Sequence, residues 1–148
     1  ASEIAARGIA VTPTLRQVEL FRHFAAQAGT KYPVYAATMQ AMYDNRREHF
    51  QMLLDADVLL LQGTDSGGYQ EHGSIAGALD LWARWGASAR TIIDASTWVT
   101  QLYLGRPGLV EAGPADLLIL DEDPRTDPLA MARPRAGYVG GTLAWERA

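Results

Sequence analysis

The hydrophobic positions of residues 1–57 predict helices separated by short extended segments. Ser2–Gly8 is predicted as the last turns of a helix, with Ile4 and Ala5 as its apolar positions and Gly8 as its C-cap. Apolar residues recur at three- and four-residue spacing in Thr14–Ala28, and from about residue 44 they fall on one face, which predicts two more helices. The segment "IAVTPTL" between the first two lacks this period and predicts a short strand that ends at Pro13. The pattern is therefore one of helices interleaved with extended chain.

The stretch "VLLLQGTDSGG", Val58–Gly68, is the most distinctive in the chain. Its four large apolar residues are consecutive rather than alternating, which is typical of a strand covered on both faces in a parallel sheet. A polar turn follows, with one carboxylate, Asp65, among glycines. The sequence therefore predicts a buried strand with a single acid at its end.

Three further helices are predicted before residue 106. The first spans about Ser74–Trp85, and its predicted buried side comprises Ile75, Ala78, Leu79, Trp82 and Trp85. The second begins at Ser88, a good N-cap, and runs through Ala95. The third is "TWVTQLYLG", which Gly105 ends.

The helical period ends at about Arg106. The strands "DLLIL", "AGYVG" and "TLAW" then alternate with Gly, Pro and Asp turns. We therefore predict an α/β part over residues 1–105 and a small β element over residues 106–148.

Composition narrows the possible functions. The chain has 148 residues, 48% of them hydrophobic, so it can form a core. The net charge of -4 argues against a nucleic-acid partner, and the absence of cysteine excludes thiolate chemistry. No run approaches the ~20 apolar residues of a membrane helix, and "ASEIAARGIA" lacks the pattern of a signal peptide. No membrane association is predicted, and the compartment stays open.

Asp65 and His72 are the candidate site residues. In parallel α/β folds, residues just past the C-terminal strand ends build the active site, so Asp65 would be held by the strand and reach a cavity. His72 follows in the same loop and could face that cavity. The alternatives are an aspartate that caps a turn and a histidine on a surface loop.

Other candidates have simpler explanations. His23 and His49 lie in helical patterns and are predicted on solvated faces, and the four tryptophans are predicted in the core. Ser66 and Ser74 lack the G-x-S-x-G context of a nucleophile. The run "DLLILDED" is similar to a Walker B strand, but no phosphate-binding loop accompanies it, so a strand ending in a Pro turn is the better interpretation.

Several segments of the chain occur in an order that is found in a known family. "GIAVTPTL" comes first, then "GTDSGG" with "HGS", then "ASARTIIDASTWVTQLYLG", then "GLVEAGPADLLILDEDPRTDP" and "YVGGTLAW". This ordered set resembles the C-terminal part of the amidohydrolase superfamily, near the imidazolonepropionase-like and prolidase-like hydrolases. The first two segments resemble the seventh and eighth barrel strands with their loops, and the last two resemble the return to the family's β-sandwich and its closing strand. In the helical segment, Ser96, Thr97 and Trp98 depart from the family's usual Thr-x-Asn.

The resemblance implies the fold class α/β: the C-terminal part of a (β/α)₈ TIM barrel, with strands seven and eight and their helices, plus part of a small β-sandwich. It implies a divalent metal, zinc above all, as one or two ions whose bound water attacks an amide, peptide, lactam or ester bond. Asp65 maps to the metal-proximal acid that is both metal ligand and general base or acid, and His72 maps to a substrate-binding histidine.

The family's other metal ligands are absent from this chain, and a complete barrel needs about 250 residues. We therefore expect a C-terminal portion, active only with the N-terminal portion of the same enzyme or with a complementary chain. The expected substrate is a small molecule or short peptide, and an oligomer is expected. The alternative is a non-catalytic binding or assembly subunit that keeps the fold without a working metal centre.

Overall fold

The computed structural model describes all residues, Ala1–Ala148, as a mixed α/β chain that is mostly helical. It forms two compact units, Ala1–Gly86 and Ala87–Ala148. The first unit contains the helices α1 (Ser2–Ala6), α2 (Leu15–Glu19), α3 (Phe21–Ala28), α4 (Pro33–Asp44), α5 (Arg46–Asp55) and α6 (Ile75–Arg84). The second contains the helices α7 (Ala89–Ser96) and α8 (Trp98–Tyr103), the 3₁₀ helix Pro128–Ala132, and the strands β1 (Leu117–Ile119), β2 (Ala136–Val139) and β3 (Thr142–Glu146).

The first helix ends as predicted. Gly8 has a φ of 61°, and its N–H donates to the carbonyl of Ala5 at 2.9 Å. This left-handed conformation suits a residue without a Cβ, which is why glycine commonly follows a helix.

The single helix predicted over residues 14–28 was wrong, because α2 and α3 are separate helices. The N–H of Leu20 donates to the carbonyl of Gln17, three residues earlier, and the chain restarts in α3. Such a tightened turn shifts the helix axis but leaves the three- and four-residue spacing almost intact. Periodicity alone therefore could not reveal the break.

The sequence did not predict α4. Its residues are largely apolar and none is buried, so it has no clear polar and apolar face. Pro33 occupies the first turn, where the missing N–H costs nothing, and α4 packs on α3. The sequence therefore carries no amphipathic pattern that would have predicted this helix.

The two predicted strands of the first unit are paired in parallel but are much shorter than expected. Val11 and Leu60 form an isolated parallel bridge. The N–H of Val11 donates to the carbonyl of Leu59 at 2.9 Å, and the N–H of Leu61 donates to the carbonyl of Val11 at 3.0 Å. Pro13 has no N–H to extend this ladder. The pairing nevertheless brings the ends of both segments to one edge.

An aromatic cluster forms the centre of the first unit. Phe50 is 1% exposed, and its ring centroid lies 5.1 Å from Trp82 and 6.3 Å from Trp85. These rings join α5 to α6. On α6 the predicted buried side is confirmed except for Ile75, which lies in the first turn and is 41% exposed.

The prediction of a buried position was correct for two tryptophans and wrong for the other two. Trp82 and Trp85 are buried, whereas Trp98 and Trp145 are about half exposed. The indole N–H of Trp98 donates to the Asp94 carboxylate at 2.6 Å. The indole of Trp145 lies over Gly137, on the exposed face of the sheet. His23 and His49 lie on exposed helix positions, as predicted.

Glu19 and Arg46 connect α2 to α5 through a partly buried ion pair. The Arg46 guanidinium also lies 3.7 Å from the ring centroid of Tyr43 and donates to its carbonyl. A planar guanidinium can use its edge for hydrogen bonds and its face for an aromatic ring at the same time.

In the second unit the predicted cap of α7 is confirmed, because the Ser88 hydroxyl accepts from the N–H of Thr91 at 3.0 Å. The three predicted strands form an antiparallel sheet in the order β1-β2-β3. β1 pairs with β2 through Leu118↔Gly137, and a bulge interrupts the pairing of β2 with β3 after Gly137. The mixed α/β fold is thus observed.

The acids that follow β1 are engaged by arginines. Asp121 pairs with Arg135 and Arg147, and Asp123 pairs with Arg125. The strand prediction for "DLLIL" is confirmed, and these carboxylates stabilise the turn after it.

We expect the carboxyl group of Asp123 to titrate at an unusually low pH. Hydrogen bonds from the side chain and then from the N–H of Arg125 lower the pKa of Asp123 to about 2, from 3.8. The lowered pKa means that the contribution to stability is present above pH 3.8 and is lost as the pH falls toward 2. An NMR titration should show this midpoint. Arg125→Ala should raise the pKa without restoring 3.8, because the backbone donor remains; an unchanged midpoint would contradict this assignment.

The predicted boundary between residues 105 and 106 concerns the division into barrel and sandwich portions, and it stays a prediction.

No helix of the chain combines the length and the apolar character required to cross a membrane.

Candidate functional site

The candidate site lies where the segment containing Leu60 leaves its parallel partner and enters the loop 63–74. At the start of this loop the backbone of Gly63 approaches Thr12 on the neighbouring segment. A Cβ at position 63 would lie 2.5 Å from Thr12 Cγ2, which is far inside van der Waals contact. A side chain at position 63 therefore requires the Thr12 methyl to shift, and it is close packing rather than an unusual φ that favours glycine here.

This packing gives a testable prediction. Gly63→Ala should destabilise the protein by about 1–3 kcal/mol, because the added methyl overpacks the junction between the two segments. Thr12→Ser removes the methyl that the new Cβ would meet, so the double variant should recover much of the loss. Urea unfolding of the single and double variants measures both effects. Equal instability of the two would show that the contact with Thr12 is not the cause.

Asp65 occupies a strained and exposed position in this loop. Its φ of 56° lies in the left-handed region, which few residues other than glycine and asparagine or aspartate adopt. The carboxylate makes no hydrogen bond or ion pair within the chain, and the residue is exposed. Backbone geometry alone therefore sets the direction of the side chain.

Hydroxyl groups flank Asp65 on both sides. The Ser66 hydroxyl donates to Thr64 Oγ1 at 2.8 Å and lies 2.7 Å from the Ser74 hydroxyl. The N–H of Ser66 also donates to Thr64 Oγ1, at 3.3 Å. These contacts connect the two ends of the loop to each other and exclude neither serine from solvent.

Gln70 is the buried polar residue of the loop and is only 6% exposed. Its Nε2 donates to the carbonyl of Thr64 at 2.8 Å and to Gln17 Oε1 at 3.0 Å. Its own carbonyl accepts from the N–H of Gly67 at 3.1 Å. Its Oε1 is buried without a partner. Buried polar atoms are normally hydrogen-bonded, so burying Gln70 with an unpaired Oε1 lowers the stability of the loop.

His72 lines a cleft of about 380 Å³ together with Tyr69, Gln70 and Arg16. Its ring lies against the loop, since a Cβ at Gly67 would be 3.3 Å from His72 Cε1. Tyr69 forms one wall of this cleft, and its ring packs edge-on against Phe24 with the two ring centroids 4.7 Å apart. A more open hollow of about 600 Å³ on α2 and α3 contains none of the loop residues.

Asp65 does not line the cleft that contains His72. The two residues share a loop, and the roles assigned to them, Asp65 in catalysis and metal binding and His72 in substrate binding, stay predictions. Ser66 and Ser74 bond to each other, and no histidine bonds to either of them.

The residues of this chain do not form a metal site by themselves. No group of three or more histidine or acidic side chains converges anywhere in the chain. Asp65 offers one carboxylate with unengaged oxygens, which suits a single ligand position. A complete divalent-metal site would need ligands from outside these residues.

Sequence reasoning did not identify Gln70, Gln17 or Thr64. Glutamine in a polar loop carries no signal of burial, and Gln17 is 53 residues away in the sequence. The contact is visible only once α2 and the loop are placed together.

Sequence comparison finds relatives in mycobacteria. The chain is 38% identical over 127 residues to an uncharacterized protein of Mycobacterium tuberculosis and to one of Mycobacterium bovis. The match covers 86% of this chain and 34% of each relative. The chain thus spans about a third of the length of these relatives. No protein-family model matches it.

Comparison with solved structures gives the fold. A Xaa-Pro dipeptidase with methionine bound in its active site matches with a TM-score of 0.78 and 19% identity, over 97% of this chain and 36% of that one. A. niger ochratoxinase matches with a TM-score of 0.70 and 24% identity, over 97% and 34%. A prolidase complexed with N-methylphosphonate-L-proline matches with a TM-score of 0.67 and 21% identity, over 93% and 35%.

The resemblance predicted from the sequence is therefore confirmed at the level of fold. The chain corresponds to about a third of the length of each matched structure. This chain has the fold of part of the Xaa-Pro dipeptidase, prolidase and ochratoxinase structures.

Proposed function

We propose that this chain is the C-terminal portion of a metal-dependent amidohydrolase, with Asp65 as the metal-proximal general base and acid. In this proposal the paired segments around Val11 and Leu60 are barrel strands seven and eight, and the sheet β1-β2-β3 is part of the β-sandwich. The bond cleaved is a C–N bond of an amide, peptide or lactam, or an ester bond.

One observation carries the proposal: the left-handed, unpaired Asp65 at the end of a segment paired in parallel. Strained backbone is retained where the surroundings fix it, and such positions cluster at functional sites. In parallel α/β folds, strand ends of this kind are where catalytic groups lie. The likeness to dipeptidase and ochratoxinase structures supports the same location by fold.

The chemistry assigned to Asp65 follows from its free carboxylate. A divalent metal, zinc in this proposal, would be held in part by Asp65 and would lower the pKa of a bound water to about 7. The Asp65 carboxylate would accept a proton from that water and return it to the leaving group. A carboxylate already held by an arginine, as Asp123 is, would be a weaker acceptor.

The substrate class is proposed from the cleft and from the fold. The cleft beside the loop offers His72, Tyr69, the cation Arg16 and the acids Glu19 and Glu71, and this mixture of charges suits a small polar ligand such as a short peptide. The matched structures include a Xaa-Pro dipeptidase, whose name agrees with this class. His72 is assigned to substrate binding in this proposal.

The remaining ligands are assigned to the N-terminal portion of the same enzyme or to a complementary chain. Ile9 and Leu59, on the two paired segments, are 44% and 39% exposed. Apolar side chains on strands are normally covered, so these positions suit neighbouring barrel strands that this chain does not contain. This exposure supports a larger sheet around the pair.

A non-catalytic binding or assembly subunit is the second candidate function, and one observation favours it. This chain has no group of residues able to hold a metal by itself. If the rest of the protein also lacks such ligands, the fold would serve only as a scaffold.

Hydrolysis by the complete protein tests the proposal. Dipeptides, N-acyl amino acids, a lactam and an ester should be offered, with free amines and acids measured by chromatography. We expect cleavage of at least one class, loss after chelation, and recovery when zinc is restored. Cleavage that chelation leaves unchanged, or no cleavage of any class by folded, metal-loaded protein, would contradict it.

A further inference from the structure

We propose that Gln70 is the positioning residue of Asp65. The proposal rests on the function proposed for Asp65, and it states how this chain keeps that carboxylate in one orientation. Its basis is a set of hydrogen bonds that join Gln70 to the main chain on both sides of Asp65 and do not involve the Asp65 side chain.

The first step concerns the peptide group just before Asp65. Gln70 Nε2 donates to the carbonyl oxygen of Thr64 at 2.8 Å. That carbonyl belongs to the peptide plane that links Thr64 to Asp65, and the φ of Asp65 is the rotation relative to this plane. Holding the plane therefore fixes the reference for the left-handed φ of 56°.

The second step concerns the chain just after Asp65. The N–H of Gly67 donates to the carbonyl of Gln70 at 3.1 Å. The side chain of Gln70 therefore holds the chain before Asp65, and its main chain holds the chain after Asp65. One residue thus holds both sides of Asp65. The hydroxyl contacts of Ser66 with Thr64 and Ser74 reinforce the same turn.

The third step concerns what orients Gln70 itself. A main-chain carbonyl can only accept, so the side-chain atom facing Thr64 must be the amide nitrogen. The second N–H of this nitrogen meets Gln17 Oε1, which lies on α2. Because α2 follows the segment that contains Val11, this hydrogen bond fixes the position of Gln70, and through it that of Asp65, relative to α2.

The geometry of the carboxylate leaves no competing support. Asp65 makes no side-chain hydrogen bond in this chain, whereas Gln70 is buried and tolerates an unpaired Oε1. A replacement that keeps the length of Gln70 but lacks its donors should leave the fold in place and release the Thr64–Asp65 peptide. Gln70→Met is that replacement.

We expect Gln70→Met, in the complete protein, to lower kcat by about tenfold or more with little change in KM, because small displacements of a reacting group are costly. Gln17→Met should give a smaller loss in the same direction. Gln40→Met, which removes an exposed helix-surface contact with Asp44, is the matched control and should be neutral. Amide exchange at Gly67 should accelerate most in Gln70→Met, less in Gln17→Met, and not in Gln40→Met.

The double variant separates positioning from a general structural role. If Gln70 acts through Asp65, adding Gln70→Met to Asp65→Asn should change the residual kcat by less than about twofold, because the two effects do not add. A full additional loss would show that Gln70 acts elsewhere and would overturn the proposal. So would full activity of Gln70→Met, or unchanged exchange at Gly67 in Gln70→Met, while Asp65→Asn shows its expected loss of kcat. An active Asp65→Asn would instead refute the function proposed for Asp65.

Discussion

Asp65→Asn should reduce kcat of the complete protein by about a thousandfold while leaving the fold intact. Loss of a positioned general base typically costs 10²–10⁴ in rate, and the same change would weaken a metal ligand. Asparagine tolerates the left-handed backbone and keeps the size of the side chain, so the φ of 56° can persist. The effect is therefore chemical rather than structural. Steady-state kinetics on a cleaved substrate, with circular dichroism of the variant, measures it.

Asp57→Asn is the matched control for this change. Asp57 is also exposed, also has a left-handed φ, of 51°, and precedes the same apolar segment at its other end. It differs from Asp65 in lying away from the candidate loop. Asp57→Asn should retain full activity. Equal losses in both variants would mean that the segment, rather than the Asp65 carboxylate, is what the reaction needs.

Phe50→Ala should lower the free energy of unfolding by about 3–5 kcal/mol, the largest stability loss that we predict for a single substitution. Phe50 is 1% exposed and contacts Trp82 and Trp85, so its removal leaves a cavity where α5 meets α6. Large-to-small changes in such sites lose both the burial and the contacts around the cavity. Urea unfolding followed by circular dichroism measures the change.

Met52→Ala serves as the control within the same helix. Met52 lies two residues along α5 and is 47% exposed, so its truncation opens no enclosed cavity. A loss of under about 0.5 kcal/mol is expected for a surface change of this kind. If Met52→Ala proved as damaging as Phe50→Ala, the aromatic cluster would not be the centre of the first unit.

Most elements could be predicted from local signals, and the exceptions have physical reasons. The Ser88 cap and the three strands of the second unit rest on residues whose effects are local. The break at Leu20 and the helix α4 depend on packing between elements, which periodicity does not record. Trp98 was expected inside because tryptophan is apolar, yet its N–H prefers the nearby Asp94.

The candidate site was predictable only in part. An acid just past an apolar run made Asp65 the candidate residue, because the sequence indicates where the apolar segment ends, and the role of Asp65 stays a prediction. The contacts that orient it were not, since Gln70 and Gln17 meet only through the tertiary fold. The order of several weak segments predicted the likeness that is observed to part of a Xaa-Pro dipeptidase structure.

Metal content of the complete, purified protein is the most direct test of the central claim that Asp65 serves a metal-dependent hydrolase. Elemental analysis should find one or two divalent ions, zinc foremost, for each folded chain, and less in Asp65→Asn than in Asp57→Asn. Folded protein that binds no metal even when zinc is supplied would contradict the claim and favour a non-catalytic subunit.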